Sequence, residues 1–154
     1  MRIPLFGIPL AASLCLLSQT PQPMPEQAVR AAVDAYHQAF ERKDTAALEK
    51  LFHPDLLVFE GGGVDRGAKA YLEHHLGPEL KELKSWTNTG MEIQVQVEGA
   101  MAYATCAFTY EAAFTNGKMS RGKATESLVL VKADGGWRIR HLHWSSHAIK
   151  PSKS

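Results

Sequence analysis

The sequence Met91-Glu92-Ile93-Gln94-Val95-Gln96-Val97-Glu98 alternates an apolar residue with a polar one at every position. This two-residue period is typical of a β-strand that is buried on one face and solvated on the other. Three further segments with strand composition follow, at about 101–115, 118–132 and 136–147. Asn116-Gly117 and Asp134-Gly135-Gly136 separate these segments and favour tight hairpin turns. The second half of the chain is therefore predicted to form long, sequential antiparallel strands.

The first half of the chain has helical spacing instead. A proline suited to a first helical turn opens the segment 25–43, where apolar residues recur three or four positions apart. Asp44 or Thr45 is expected to cap a second, short helix, which Pro54 terminates. The apolar positions of the first helix are Val29, Ala32, Val33, Tyr36 and Phe40.

A short strand and a third helix complete the predicted fold. The strand runs from Leu56 to Glu60 and leads into three glycines, and the helix ends near Gly77-Pro78. Helices followed by a run of sequential strands predict an α+β domain, a curved antiparallel sheet with helices packed on one face. The apolar face of the third helix carries Ala68, Tyr71, Leu72, His75 and Leu76.

Residues 1–23 have the pattern of a secretory signal peptide. Met1 and Arg2 precede an uncharged segment from Ile3 to Leu17, and a polar, proline-containing stretch follows up to Pro23. An uncleaved membrane anchor is the alternative, but about fifteen apolar residues fall short of the roughly 20 that a spanning helix needs. We expect a periplasmic or secreted protein, with residues 24–154 as one domain that has no stable membrane insertion after cleavage.

Composition narrows the classes of partner. The chain has 154 residues, of which 45% are hydrophobic and 21% charged, enough for one globular domain with a real core. Seventeen basic residues against sixteen acidic ones give a net charge of +1, so no basic surface for nucleic acid is expected. Cleavage of the leader would leave Cys106 as the only thiol, which excludes an internal disulfide and predicts a small core residue.

The final predicted strand changes from apolar residues to histidine along one face. Two-residue spacing puts His141, His143, Ser145 and His147 on the same face as Trp137 and Ile139, which suggests a core that opens into a polar pocket. Histidines that are solvated, or hydrogen-bonded at the rim of a core, are the alternative. The opposite face includes Leu142 and Trp144 and predicts a surface or subunit contact.

Three other residues are candidates for acid–base chemistry. Glu60 ends an apolar strand, and a carboxylate with apolar neighbours has a raised pKa and can serve as a general base. A strand-end glutamate in water is the alternative. Glu126 lies within a strand and faces either the core or the solvent. Tyr36 lies on the buried face of the first helix, where a packed tyrosine with a satisfied hydroxyl is the ordinary interpretation.

Histidine and glutamate also raise the question of a metal. His74-His75 and the histidines of the final strand, with Glu60, are of the types that bind zinc. Their spacing matches no metal motif, and on the third helix His74 and His75 point in different directions. We expect no metal and no cofactor. The alternative is a metal-dependent hydrolase with His143, His75 and Glu60 as ligands.

Two local sequences resemble a known family. One begins Tyr36-His37-Gln38-Ala39-Phe40 and continues through Lys43-Asp44-Thr45 to Leu51-Phe52-His53-Pro54-Asp55, and the other is Asp134-Gly135-Gly136-Trp137-Arg138-Ile139-Arg140-His141. Together with the order of elements, they resemble the SnoaL-like, nuclear-transport-factor-2-like superfamily over about residues 28–147. The similarity is greatest to a bacterial branch of unknown function (the domain of unknown function 4440 type) and more distant to steroid ketoisomerases. It implies a cystatin-like cone, a curved sheet wrapped around three helices, with an apolar pocket at the open end and dimerisation through the sheet.

The resemblance also implies site residues. In steroid ketoisomerases a tyrosine and a protonated aspartic acid form an oxyanion hole, and another aspartate is the base. Tyr36 falls at the tyrosine, Glu60 at the base and Glu126 near the second acid, whereas His143 resembles the pocket histidine of the bacterial branch. The other expected pocket residues are His75, Tyr71, Trp137, His141 and Ser145.

The expected function is therefore the binding of a small apolar molecule by a homodimer. If the protein is an enzyme, we expect an isomerase- or lyase-like proton transfer next to a carbonyl, with Glu60 or His143 as base and Tyr36 with protonated Glu126 as enolate stabiliser. A non-catalytic ligand carrier or dimeric interaction module is the competing interpretation.

Overall fold

The computed structural model of the chain describes residues 24–149. The predicted signal peptide, residues 1–23, lies outside the described residues. Helix α1 spans Pro25–Glu41 and helix α2 spans Thr45–Leu51, where the Asp44 side chain caps α2 by accepting a hydrogen bond from the Ala47 N–H at 3.0 Å. None of the helices between residues 24 and 149 has the length and apolar character that a membrane-spanning helix needs.

Six strands form one curved, open sheet. They are ordered β2-β1-β6-β5-β4-β3, and the four strands that follow the helices pair with their sequence neighbours in antiparallel fashion, as predicted. The predicted α+β cone with three helical segments is confirmed. The strand bounds are β1 Phe52–Glu60, β2 Gly63–Arg66, β3 Leu83–Glu98, β4 Met101–Phe114, β5 Met119–Ala133 and β6 Gly136–Ala148.

The sheet is mixed rather than wholly antiparallel. Strand β1 pairs with β6 in parallel, with Val58 opposite Leu142 and Glu60 opposite Trp144. No hairpin joins β1 to β6, so their relative direction is set by packing and not by a turn. Strand β2 was not predicted; it extends the turn at the three glycines into a short hairpin with β1.

The third helical segment continues past Gly77-Pro78, where the sequence predicted its end. Helix α3, Ala68–Tyr71, leads into a π-helical turn, Leu72–Leu76, and then into helix α4, Gly77–Glu82. The Gly77 N–H donates to the Leu72 carbonyl, five residues back. A Cβ at Gly77 would overlap that carbonyl oxygen, so glycine permits the wide turn. Pro78 is tolerated because it lies in the first turn of α4.

A β-bulge in β6 reverses the predicted faces of that strand. Ile139 pairs with Leu130 and His141 pairs with Val129, so Arg140 is an extra residue without a partner in β5. Beyond the bulge Leu142 is buried in the core, and His143 is exposed. The two-residue period predicted the opposite arrangement.

The core fills the space between the helices and the inner face of the sheet. Cys106 is 2% exposed and belongs to this core, as predicted. The largest fully buried side chains are Phe52, Leu48, Leu56, Leu76, Leu128, Leu130, Ile139 and Leu142.

Candidate functional site

A cavity of about 240 Å³ lies between helix α1, the third helical segment and the inner face of the sheet. Among the described residues, all strands except β2 contribute side chains to the wall of this cavity. Aromatic side chains are prominent in the wall: Tyr36, Phe40, Tyr71, Trp86, Phe108, Tyr110, Phe114 and Trp144.

His37 and Glu126 form a buried pair on this wall. His37 is 8% exposed and Glu126 is 6% exposed, and they are the buried polar or charged residues of the described chain. His37 Nε2 lies 3.2 Å from Glu126 Oε2, yet the orientation of the two groups does not satisfy hydrogen-bond geometry and neither atom has another partner. Two ionisable side chains that line a cavity, each with a polar atom that lacks a hydrogen bond, are candidates for contact with a ligand there.

Sequence reasoning missed His37. The signal that could have identified it is the four-residue spacing of Val29, Val33 and His37, which continues the buried stripe of α1. The Tyr36 ring lies 5.0 Å and the Phe108 ring 5.4 Å from the imidazole, centroid to centroid. An imidazole enclosed by aromatic rings is positioned tightly.

Glu126 occupies the centre of a row of residues that crosses the sheet. Strand register places Glu60 opposite Trp144, Trp144 opposite Glu126, and Glu126 opposite Cys106. Glu60 and Glu126 are thus two strand spacings apart, roughly 10 Å, with an indole between them. The sequence did not determine which face of the sheet carries the Glu126 side chain, and in the structure this side chain is buried on the inner face.

Glu60 lies at the edge of the cavity. Its side chain is 32% exposed, and His75 Nε2 lies 4.0 Å from its Oε2. Burial, followed by the charge of Glu79, raises the pKa of Glu60, and His75 offsets only part of the increase. A carboxylate with a raised pKa is a better proton acceptor than an ordinary surface glutamate.

His75 connects the residues at the rim of the cavity. Its Nδ1 lies 2.7 Å from Asp65 Oδ2 and its Nε2 lies 3.2 Å from Glu79 Oε1. Burial alone would lower the pKa of His75, but the hydrogen bond to Asp65 and the nearby carboxylates raise it above its ordinary value. His75 therefore holds acidic side chains of β2 and α4 together. The neighbouring His74 is exposed.

Two tyrosines present hydroxyl groups to the cavity. Burial and then the charge of Glu126 raise the pKa of Tyr36 well above its ordinary value. Burial and then the charge of Glu60 also raise the pKa of Tyr71. Both phenols are therefore neutral hydrogen-bond donors at physiological pH.

Four aromatic side chains form a continuous part of the wall, which we call the aromatic wall: Phe40, Trp86, Tyr110 and Trp144. The rings of Trp86 and Tyr110 stack at 4.6 Å with an angle of 5° between their planes. Trp144 lies 6.2 Å from Trp86 and 5.8 Å from Tyr110, and Phe40 lies 5.2 Å from Trp86, all between ring centroids. Trp144 was predicted to face outward, and the bulge explains why it does not.

Several expected pocket residues lie elsewhere. Trp137 packs in the core away from the cavity wall. Its neighbours beyond the bulge, His141, His143 and Ser145, are on the outer face of the sheet. His141 Nδ1 lies 3.0 Å from the Leu57 carbonyl oxygen, and His143 and Ser145 are exposed. The prediction that His141, His143 and Ser145 line the pocket is wrong because the extra residue Arg140 reverses the inward and outward faces of β6 beyond it.

The same shift separates the residues of the expected metal alternative. His143 is on the other side of the sheet from Glu60 and His75. A different group, His37, Cys106 and Glu126, offers one nitrogen, one sulfur and one oxygen atom that all lie within 4.8 Å of one another. These donor types suit zinc. Burial, followed by the charge of Glu126, raises the pKa of Cys106 to about 12, so its thiol keeps its proton when no metal is bound.

Comparison with known proteins gives one family and many similar folds. A family model described as the SnoaL-like domain matches residues 29–149. A candidate ketosteroid isomerase from Shewanella frigidimarina is 31% identical, with a TM-score of 0.69, and the match covers 77% of this chain and 94% of that one. No curated protein matched the chain.

Two other solved structures share the fold at lower identity. A nuclear-transport-factor-2-like protein from Salmonella enterica serovar Typhimurium is 24% identical, with a TM-score of 0.72, and the match covers 82% of this chain and 94% of that one. A candidate dehydratase from Streptomyces avermitilis is 17% identical, with a TM-score of 0.71, and the match covers 82% and 98%.

Proposed function

The chain belongs to the SnoaL-like domain family, and from that premise we propose that it binds a small, largely apolar molecule in the cavity and transfers a proton next to a carbonyl of that molecule. The observation that carries the proposal is the buried pair His37–Glu126, whose facing Nε2 and Oε2 atoms lack hydrogen bonds at the wall of an aromatic cavity. Enzymes place ionisable groups in such settings to move protons.

Four ionisable residues of the cavity have a proposed role. Glu60 removes the proton, because its raised pKa brings it closer to that of the carbon acid it must deprotonate. The neutral Tyr36 hydroxyl donates to the enolate oxygen that develops. His37 Nε2 lies 3.2 Å from Glu126 Oε2, which holds the imidazole in place, and we assign the imidazole as the second donor. His37 thus takes the place that the sequence suggested for His143.

The direct test is an isomerisation assay with a β,γ-unsaturated cyclic ketone, followed by the absorbance of the conjugated product. We expect turnover by the wild type and a loss of at least 100-fold in Glu60→Gln and Tyr36→Phe, the scale of one acid–base or oxyanion-hole group. Glu92→Gln, an exposed carboxylate on β3, is the matched control. Ligand binding with no turnover of any carbonyl probe would favour the non-catalytic carrier.

The metal-dependent hydrolase is a second candidate, supported by the donor atoms of His37, Cys106 and Glu126. Native mass spectrometry of the protein purified without a histidine tag reports subunit count, bound ions and co-purified small molecules in one experiment. Stoichiometric zinc that is lost in Cys106→Ser would favour hydrolysis over proton transfer. A small organic ligand without an ion would favour the isomerase-like function.

We also propose a homodimer formed through the outer face of the sheet. Small and polar residues cover the centre of that face, among them Thr105, Ala107, Thr125 and Ser127, and Tyr103 is 48% exposed beside them. Leu142 and Trp144, on which the sequence-based subunit contact depended, face inward and play no part. Ser127→Arg should convert the dimer to a monomer in sedimentation velocity, whereas Glu98→Arg should not.

The proposed location is the periplasm or the exterior, on the basis of the sequence pattern of residues 1–23. Amino-terminal sequencing of protein from a periplasmic extract tests this location. A mature terminus close to residue 24 is expected, and an intact Met1 in a cytoplasmic fraction would contradict the proposal.

A further inference from the structure

The cavity has an excess of negative charge. Four carboxylate side chains line it, those of Glu60, Glu79, Glu82 and Glu126, and no lysine or arginine between residues 24 and 149 does. Among the described basic residues, only His37 and His75 lie within 4.0 Å of these carboxylates, His37 beside Glu126 and His75 beside Glu60 and Glu79. Glu126 is buried and Glu60 is partly buried, whereas Glu79 and Glu82 are exposed. Burial of a carboxylate without a full counter-charge is unfavourable, and the raised pKa of Glu60 is one consequence.

The aromatic wall adds a second kind of affinity for positive charge. The face of an aromatic ring is negative, and a cation within about 6 Å of the centroid is attracted to it, to tryptophan most strongly. Trp86, Tyr110 and Trp144 lie with their centroids 4.6–6.2 Å apart, so one group can touch more than one ring. Trp144 also stands between Glu60 and Glu126 in the strand register.

We propose that the ligand of this cavity is an organic cation, a protonated amine or a quaternary ammonium compound, whose charged nitrogen sits against Trp144 and Trp86 with Glu60 and Glu126 as counter-charges. The proposal rests on the proposed binding function and narrows its ligand class. A neutral apolar ligand would cover the rings but would bring no positive charge beside Glu60 and Glu126. A cation satisfies both features, because its alkyl groups pack on the rings while its charge compensates the acids.

The cation also agrees with the proposed chemistry. A positive nitrogen near Glu126 lies on the side of the cavity where Tyr36 would donate to an enolate oxygen, and positive charge there stabilises the negative charge that develops. The amine and the carbonyl would then belong to one molecule, small enough for about 240 Å³.

The experiment compares choline with 3,3-dimethylbutan-1-ol, which has the same shape with carbon in place of the charged nitrogen. Both are titrated into the full-length protein at neutral pH, and binding is followed by tryptophan fluorescence and by calorimetry. We expect choline to bind at least tenfold more tightly than the neutral alcohol. Trp86→Leu keeps an apolar side chain but removes a π face, so it should weaken choline binding at least tenfold and affect the alcohol much less.

Glutamine variants of the lining glutamates test the contribution of charge to choline binding without a large change of side-chain shape. Glu60→Gln and Glu126→Gln should each weaken choline binding several-fold, and Glu92→Gln, on the outer face, should not change it. Circular dichroism confirms that each variant is folded before it is titrated.

The outcomes distinguish this inference from the binding function on which it rests. Equal binding of the two probes, or tighter binding of the alcohol, overturns the cation inference and leaves small-molecule binding in the cavity intact. If neither probe binds at 10 mM and a series of neutral aromatic fragments also fails to bind, both proposals are wrong. If neutral fragments bind while choline does not, only the cation inference fails.

Discussion

His37 Nε2 in helix α1 lies 3.2 Å from Glu126 Oε2 in strand β5, inside the cone and away from solvent. The contact joins the helical layer to the middle of the sheet through two ionisable groups. A buried pair of this kind is tolerated because each partner compensates the other, and removal of one leaves the second without compensation. Replacement of either residue alone is therefore expected to destabilise the protein.

The two residues should be energetically coupled. His37→Asn and Glu126→Gln should each lower the free energy of unfolding by about 2–4 kcal/mol, because each leaves a buried polar partner unmatched. The double variant should lose less than the sum, by about 1–3 kcal/mol. Urea denaturation of the four proteins measures this coupling. Additive losses would mean that the two side chains do not interact in solution.

His37 and His143 should differ in their effects on the cavity. His37→Asn is expected to lower carbonyl turnover at least 100-fold and to weaken the binding of cavity ligands, since the imidazole is on the wall. His143→Asn should leave both within twofold, because that side chain is on the outer face of the sheet. Equal losses of turnover and ligand binding in the two variants would contradict the placement of His143 on the outer face of the sheet.

Glu60 should make the protein less stable as the pH rises. Its pKa is raised in the folded state from 4.5, so the folded protein holds the proton more tightly than the unfolded chain does. Relative to Glu60→Gln, the wild type should keep its full stability below about pH 4.5 and lose stability as the pH rises through the folded-state pKa. Thermal melts of both proteins from pH 4 to pH 8 measure the difference. Glu92→Gln, at an exposed carboxylate on β3, is the control.

His75 should also make the protein less stable as the pH rises, but for a different reason. Its folded-state pKa is raised by Asp65 and the nearby carboxylates, against the effect of burial. The stability that this protonated imidazole contributes is fully present below the unfolded pKa of about 6.5 and is lost as the pH rises through the folded value. His75→Asn should therefore destabilise the protein at pH 5.5 more than at pH 9. His74→Asn, at the exposed neighbouring residue, is the control.

Gly77→Ala should destabilise the protein although alanine is ordinarily the better helix former. The added Cβ would overlap the Leu72 carbonyl oxygen of the π-helical turn, so the backbone must shift. We expect a loss of about 1–3 kcal/mol, against the gain of up to about 1 kcal/mol usual for this exchange in a helix. Lys81→Ala in α4 is the control, and guanidinium denaturation is the measurement. A stabilised Gly77→Ala would show that the π-helical turn is absent in solution.

Local pattern was sufficient for most of the architecture. The alternation in Met91–Glu98 predicted an amphipathic strand, and the structure extends that strand from Leu83 to Glu98. The helical spacing around Tyr36 correctly predicted which side of α1 is buried. Both predictions succeed because burial of an apolar stripe depends on a period of two or 3.6 residues, which the sequence displays directly.

Only the tertiary structure decided which side chains share the cavity. The extra residue Arg140 has no unusual composition, but it exchanges the two faces of β6, bringing Trp144 inward and leaving His143 outside. The position of a bulge depends on the packing of the whole sheet, so it cannot be predicted from the two-residue period of one strand. The meeting of His37 with Glu126 depends in the same way on how a helix is placed over a strand far along the chain. The hydrophobic period within a helix or strand determines which of its side chains are buried. The pairing and packing between elements determine which buried side chains contact one another.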